Sequence, residues 1–415
     1  MIEPFTLLAL IDCPELHKKT TEIYVKEKYA ANNILSNITP YTRHPKIRIG
    51  YFSADFRNHP VAALTAELYE THDRSQFEVY AFSYGPDSKD EMRKRLELGF
   101  DYFFDVQHLP DKEITLLARE HEIDIAVDLG GYTNFCRTEI FAMRSAPIQL
   151  SYIGYLGTLN ASFFDYLIAD TTIIPDDYQK YYSEKIIYLP SYQVNDSKRK
   201  APNELFTKQS LGIPETGFVF CCFNANYKIT PQIFNSWIKI LKQVNNSVLF
   251  LQADNEWAEI NLKREFILEG LTPDRLIFGK RLPMSEYLAR YQVADLFLDT
   301  LPYNAGTTAS DALRMGLPIL THMGKSFASR MAASLLNAIG LPELITTNQA
   351  DYESLAIELA TNPEKLLRIR KKLLHNLPIS RLYNTQLFTH HLESAYLTIY
   401  ERDQNKLAPI HIYLK

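Results

Sequence analysis

The stretch 294–318, ADLFLDTLPYNAGTTASDALRMGLP, decides how the rest of the chain is read. Leu296, Phe297 and Leu298 form a short apolar run that ends in Asp299 and Thr300 and then meets Pro302, Asn304 and Gly306. That is the pattern of a buried strand closed by a turn. The small hydroxyl residues Thr307, Thr308 and Ser310 follow, and a helix-spaced face of Ala309, Ala312 and Leu313 begins among them. A helix that starts at the carboxyl end of a parallel strand points its unpaired N–H groups and the positive end of its dipole at whatever sits above the strand tips. A phosphate suits that place. Asp311, about one turn into the helix, suits a pair of sugar hydroxyls. The same residues also suit an ordinary capped helix in an α/β protein, so the stretch speaks for the fold before it speaks for a ligand.

Strand and helix patterns alternate on both sides of this stretch. Strands are predicted at 218–223, 248–252, 276–278, 295–298 and 319–321, with helices at 232–243, 256–269, 285–293, 309–315 and 327–339, then at 351–360, 364–374 and 384–401. Upstream, strands are predicted at 48–53, 77–83, 102–105, 123–129, 148–153, 166–169 and 186–189, with helices at 62–69, 89–98 and 111–120. Such alternation predicts two doubly wound, mostly parallel α/β domains facing across a cleft, the expected ligand site. The pattern lapses over 191–207, where Asn195, Asp196, Ser197 and Pro202 surround the basic cluster Lys198-Arg199-Lys200; this reads as a junction with a solvated basic linker. The first 45 residues differ from the rest: 2–10 is mostly apolar, 16–31 runs helically without Gly or Pro, and Pro40 and Pro45 mark a linker. No repeat of 20 to 50 residues is visible.

Composition narrows the function classes. Lys plus Arg number 44 against 49 Asp plus Glu, a net charge of −5, so no global field draws nucleic acid or an anionic membrane. Cys13, Cys136, Cys221 and Cys222 have no metal-ligand spacing and read as reduced core thiols. No apolar run approaches the roughly 20 residues needed to cross a bilayer, and 1–9 lacks the basic start of a signal peptide, so the expected compartment is the cytosol. No G-x-G-x-x-G follows a strand, which argues against a dinucleotide-dependent dehydrogenase.

Six stretches, taken in order, are more specific than any one of them: IRIGYFSADFRNHPVA (47–62), IDIAVDLGGYTN (123–134), RSAPIQLSYIGYLGT (144–158), FNANYKITPQIFNSWIKIL (223–241), LDTLPYNAGTTASDAL (298–313) and SFASRMAASLL (326–336). Over about 46–401 the chain resembles the catalytic region of the O-linked N-acetylglucosamine transferase and SPINDLY family, and the preface 4–24 resembles the segment before that region in bacterial members. The resemblance implies a glycosyltransferase of the two-Rossmann, GT-B type. It would be inverting and free of metal and other cofactors, taking a sugar from a nucleotide-sugar donor such as UDP-GlcNAc to Ser or Thr hydroxyls of protein acceptors. The expected division is then a helical preface and linker (1–45), an acceptor-side Rossmann-like domain (46–205), a nucleotide-sugar-binding Rossmann-like domain (206–382) and a C-terminal helix and tail (383–415). The family's upstream tetratricopeptide repeats and inter-domain insert are not seen, so a separate repeat-containing partner is one expectation.

The resemblance assigns roles to matching positions. His59 matches the histidine beside acceptor and sugar, and Lys228, in YKITP, the lysine that neutralises the donor pyrophosphate. Thr307 and Thr308 match the threonines on the phosphates, Asp311 the ribose-binding aspartate, Arg290 and the Leu282 backbone the positions around the base, and Gly154 the loop that approaches the sugar. His121 matches a second family histidine, though at a helix end before a strand it also suits a helix C-terminus; it and Asn304 are placed behind the site as supporting residues. The departures are Gly306 for a histidine against the phosphates, Met284 for a lysine, Tyr287 for a histidine on uracil, Ala225 for a glutamine and Leu156 for a proline. The PYNAGTT turn is closer to the SPINDLY branch, so GDP-fucose and UDP-glucose stand as rival donors, and a nucleotide-sugar-binding adaptor without transfer stands as the rival function.

Overall fold

The computed structural model describes residues 3–29, 35–39, 41–199, 206–280 and 282–414. Ala30, Ala31, Pro40, Lys200, Pro202 and the side chain of Met284, which carry parts of the expected preface helix, linkers and site, lie outside the described residues. The chain divides into two compact units, one of Met1–Leu7, Cys13–Lys198 and Arg381–Lys415, the other of Leu8–Asp12 and Arg199–Ser380.

The first unit is built on β1 (Ile47–Ser53), β2 (Phe77–Ser83), β3 (Tyr102–Asp105), β4 (Ile125–Asp128), β5 (Ile148–Ser151), β6 (Tyr166–Ala169) and β7 (Lys185–Tyr188). The sheet runs Ile412–Tyr413, β7, β6, β5, β4, β1, β2, β3, and every pairing is parallel. Central strands of such a sheet are covered on both faces, which is why β1 reads IRIGYFS rather than as an alternation. Ile49, Tyr51 and Phe52 have no accessible surface at all. The helix Thr385–Gln404, capped by the Asn384 side chain on the Leu387 N–H, packs into this unit through Glu393, whose carboxylate meets His72 Nδ1 at 2.9 Å.

The second unit holds β8 (Phe218–Cys222), β9 (Ser247–Gln252), β10 (Leu276–Gly279), β11 (Leu296–Leu298), β12 (Ile319–His322) and β13 (Ile345–Thr346), in the order β10, β9, β8, β11, β12, β13, again all parallel. Cys221 and Cys222 are buried in β8, whereas Cys13 and Cys136 are half-buried and so are not core thiols; all four are free. Two expected helices are interrupted. The one expected at 285–293 is an α-helix only over Met284–Ala289 and tightens to a 3₁₀ turn over Arg290–Val293, and the one expected at 327–339 opens with a 3₁₀ turn over Ala328–Arg330 before Met331–Ile339. Helix ends commonly tighten in this way. The strands Ile345–Thr346 and Ile412–Tyr413 are two residues each, too short to leave a periodic signal.

Both sheets reverse direction once. In the first, successive strands move outward from β1 to β3 and then from β4 to β7; in the second, from β8 to β10 and then from β11 to β13. The loops after β1 and β4, and those after β8 and β11, therefore diverge at the carboxyl edge of their sheet and leave a crevice where a ligand can enter. Among the described residues no helix is long and apolar enough to cross a membrane.

Candidate active site

In the second unit the switch point is walled by the ends of β8 and β11. Asn224, just past β8, donates from Nδ2 to Thr300 Oγ1 at 2.7 Å and to Asp299 Oδ1 at 3.3 Å, and its Oδ1 accepts from Thr308 Oγ1. Asp299 is buried and also accepts from the N–H groups of Thr300 (2.8 Å) and Ala305 (2.7 Å) and from Thr321 Oγ1 (2.7 Å). Burial nevertheless pushes its carboxyl up to about 6, the hydrogen bonds and Lys228 pulling the other way. The turn Leu301–Gly306 is thereby pinned to the strand tip. The helix Thr307–Arg314 starts from it with no side-chain cap on its first N–H groups.

Lys228 reaches this turn from the 3₁₀ segment Asn226–Lys228. Its Nζ donates to the Asn304 carbonyl at 3.2 Å and stands 3.7 Å over the centre of the Tyr303 ring. Desolvation pushes the ammonium down to about 8, partly offset by the Asp299 carboxylate. Asn304 is fully buried, donates from Nδ2 to the Thr300 carbonyl at 2.7 Å, and its Oδ1 has no hydrogen-bond partner among the described residues. The Lys228 ammonium and an uncapped helix start thus meet at one turn, which the buried Asp299 holds in place, and a cation beside free helix N–H groups suits a multiply charged anion.

The side chains around this turn are less open than the sequence suggests. Arg290 has no accessible surface; its guanidinium lies 3.9 Å from the centre of the Phe223 ring and 4.2 Å from that of Tyr287, and Nη2 donates to Gln252 Oε1 at 2.6 Å. So enclosed, its guanidinium presents no surface for a ligand. Tyr287 and Tyr291 meet hydroxyl to hydroxyl at 2.6 Å, and Tyr291 donates to the Thr308 carbonyl at 3.2 Å. Leu282 lies in the loop between β10 and Met284–Ala289, half-buried. Asp311 is 1 % exposed and its Oδ1 sits 2.6 Å from Arg199 Nη1. Burial pushes the Asp311 carboxyl up and Arg199 draws it back. The expected solvated basic linker is therefore corrected at Arg199, whose side chain is 8 % exposed and inserted against Asp311, while Lys198 stays on the surface paired with Glu70.

In the first unit the loop after β1 carries His59 as the N-cap of Pro60–Thr71, with Pro60 at the first helical position. His59 Nδ1 lies 3.3 Å from the Val61 nitrogen and 3.5 Å from Asp55 Oδ2. Burial pushes the imidazole down, Asp55 raises it and Arg57 lowers it. The neighbouring loop after β4 is closed by Asp128, which accepts from the N–H groups of Gly130 (2.9 Å) and Gly131 (3.1 Å) and is pushed up to about 6 by burial. Gly154 packs on this loop so closely that a Cβ there would stand 2.1 Å from the Leu129 carbonyl oxygen.

Lys228, Asn304, Thr307, Thr308, Asp311 and Arg290 are thus gathered around one switch point, and His59 and Gly154 flank another. His121 joins neither. It ends the helix Asp111–Glu120 ahead of β4, at the amino edge of the sheet, with its ring 4.8 Å from Phe104 and its carbonyl accepting from Arg48 Nη1 at 3.0 Å. Sequence reasoning missed Asn224, Asp299, Gln252, Tyr303 and Asp55. Asp299 and Asn224, polar residues directly after apolar strands, carried the one readable signal.

Residues 18–203 and 197–392 match the model of glycosyl transferase family 41. The chain is 34 % identical over 433 residues to the Arabidopsis thaliana protein named a probable UDP-N-acetylglucosamine–peptide N-acetylglucosaminyltransferase SEC, covering 99 % of this chain and 44 % of that one. It is 31 % identical over 368 residues to the corresponding SPINDLY protein of Oryza sativa subsp. japonica, covering 85 % and 39 %. Among solved structures, a mutant of the Thermobaculum terrenum O-GlcNAc transferase superposes with a TM-score of 0.83 at 30 % identity, covering 95 % of this chain and 75 % of that one. The chain spans less than half the length of these two plant relatives. The fold is that of the GT-B glycosyltransferases, and the chain belongs to glycosyl transferase family 41.

Proposed function

We propose that this chain transfers a sugar, N-acetylglucosamine from UDP-GlcNAc before any other, to Ser or Thr hydroxyls of protein acceptors, with inversion and without metal or other cofactor. The observation that carries the reading is the Lys228 ammonium on the Asn304 carbonyl, beside the uncapped start of Thr307–Arg314. Breaking the sugar–phosphate bond leaves growing negative charge on the diphosphate. A fixed cation and aligned N–H groups stabilise that charge more in the transition state than in the ground state. The acceptor oxygen attacks the anomeric carbon from the face opposite the diphosphate, the new C–O bond forming as the old one breaks. His59 takes or relays the hydroxyl proton. The names of the plant and bacterial relatives support N-acetylglucosamine as the sugar and peptides as acceptors.

Gly306 and Tyr287 keep GDP-fucose and UDP-glucose as the second reading of the donor, and a binding adaptor as the second reading of the function. The same proposal places the protein in the cytoplasm, away from nucleic acid and membrane, with a repeat-containing protein as a candidate partner. Titration with UDP, GDP and their sugars, followed by thermal midpoint, tests the donor, because a ligand that binds only the folded state raises the midpoint by mass action. UDP-GlcNAc and UDP should stabilise at lower concentration than GDP-fucose and GDP; the reverse order overturns the donor assignment.

A further inference from the structure

His59 is the N-cap of its helix, and its Nδ1 lies between two groups that ask opposite things of it. The Val61 N–H, 3.3 Å away, requires an acceptor; the Asp55 carboxylate, 3.5 Å away, requires a donor. One ring nitrogen cannot satisfy both, so the proton position on the imidazole depends on which neighbour wins. If Val61 wins, the proton sits on Nε2 and that nitrogen can only donate. If Asp55 wins, Nδ1 carries the proton and Nε2 keeps the lone pair that removing a proton from a hydroxyl requires.

The surroundings favour Asp55. The Asp55 side chain is 11 % exposed, and apart from His59 the cation facing it is Arg57, whose Nη2 is 3.4 Å from Oδ1, a long contact. A nearly buried carboxylate is costly to leave without a donor, and a hydrogen bond to an ionised acceptor is about twice as strong as a neutral one. The Val61 N–H, by contrast, belongs to the first turn of a helix, where water satisfies such groups. Asp55 is itself held in place: its N–H donates to Ser53 Oγ at 2.9 Å, and Phe56 next to it packs on Phe100 and Tyr69 with ring centres 5.4 and 5.9 Å apart. Among the described residues, the Tyr84 hydroxyl also feels the Asp55 charge, and Asp90 beside the loop is engaged by the Asn58 N–H at 2.8 Å.

We propose that Asp55 is a positioning residue that fixes the proton of His59 on Nδ1 and so leaves Nε2 free to accept. This rests on the reading of His59 as the acceptor-side imidazole. In the transfer step the acceptor hydroxyl gives its proton to Nε2 as its oxygen bonds to the anomeric carbon and the diphosphate departs; the imidazolium formed is then bonded to the Asp55 carboxylate. Asp55 touches neither substrate nor donor in this scheme and acts only through the ring.

The test is ¹⁵N NMR of the imidazoles in the full chain, with His59 assigned by the signal lost in His59→Gln, joined to kinetics with UDP-GlcNAc and an acceptor protein. In the wild type, His59 should show a protonated Nδ1 and an unprotonated Nε2 at neutral pH. In Asp55→Asn the proton should move to Nε2, with turnover lower by about 10²-fold, the UDP dissociation constant within about twofold of wild type, and the acid limb of the pH profile moved to lower pH. A proton on Nε2 in the wild type overturns the proposal, as does an Asp55→Asn protein with wild-type tautomer and turnover. Asp55→Ala and a thermal midpoint for each variant separate this from loss of fold, because the tautomer is read in molecules that are folded. If His59→Gln keeps full turnover while the tautomer still follows Asp55, the acceptor-side reading of His59 fails and the tautomer assignment stands.

Discussion

Lys228 Nζ stands 3.2 Å from the carbonyl oxygen of Asn304, so the cation of the second unit is fixed to the turn that launches the helix Thr307–Arg314. Desolvation puts that ammonium at about 8. If it must be charged to meet the donor, kcat/KM for the donor falls as pH rises through about 8. A bound diphosphate favours the charged form, so the matching limb in kcat lies at higher pH. Steady-state rates from about pH 6.5 to 10 check this; a profile flat through pH 9 removes Lys228 from the chemistry.

The same residue affects stability. Its folded value of about 8 lies below the 10.5 of an ordinary lysine, so between those values the unfolded chain binds more protons and stability rises with pH. Below about 8 the folded state carries the full cost of holding the charge. Lys228→Met should therefore melt higher than wild type at pH 7, and the gap should narrow on the way to pH 10.5. A lower midpoint at pH 7 contradicts this.

Arg199 and Asp311 form a pair with side chains 8 % and 2 % exposed. Removing one partner of a buried pair strands the other and costs about 3 to 5 kcal/mol. Arg199→Ala should lose about that much in urea unfolding. The double variant with Asp311→Ala should recover part of it, and in Asp311→Ala alone nucleotide binding should weaken more than turnover at saturating donor. Additive losses in the double variant would show that the two do not interact.

Gly154 separates two roles. A Cβ there meets backbone at 2.1 Å from the Leu129 oxygen and 2.9 Å from the Gly130 oxygen. Gly154→Ala should destabilise the protein by about 2 kcal/mol or more, because neither atom is the end of a flexible side chain. An unchanged midpoint with lost turnover would restore approach to the sugar as the sole reason for glycine.

Much of this was legible in the sequence. Apolar runs ending in Asp299 and Ser53, each followed by turn residues and a helical pattern, marked both sheets and the carboxyl edges at which sites form. Burial and partners were not legible. Arg199 sits among Lys198 and Lys200 in a polar stretch, and nothing in that pattern separates the guanidinium that turns inward onto Asp311 from the lysine that stays on the surface. Arg290 likewise has Tyr287 three residues before it on the same helical segment, but only the fold brings Phe223 of another element onto its guanidinium. The contest for His59 Nδ1 depends on a four-residue turn whose distances no spacing rule fixes.

In the proposed mechanism Lys228 and the helix N–H groups stabilise the leaving diphosphate without a metal, so transfer should survive EDTA at full rate. Loss of activity with chelator and its return with Mg²⁺ or Mn²⁺ would overturn the cation-only account of the leaving group.

The most direct test of the central claim is mass spectrometry of an acceptor protein after incubation with UDP-GlcNAc, comparing wild type with Lys228→Ala and measuring UDP affinity for both. The account predicts one or more N-acetylhexosamine additions on Ser or Thr with wild type, a rate lower by about 10² to 10³-fold with Lys228→Ala, and nucleotide affinity changed far less. Sugar transfer undiminished in Lys228→Ala, or a wild-type protein that binds UDP-GlcNAc and neither transfers nor hydrolyses it, would contradict it.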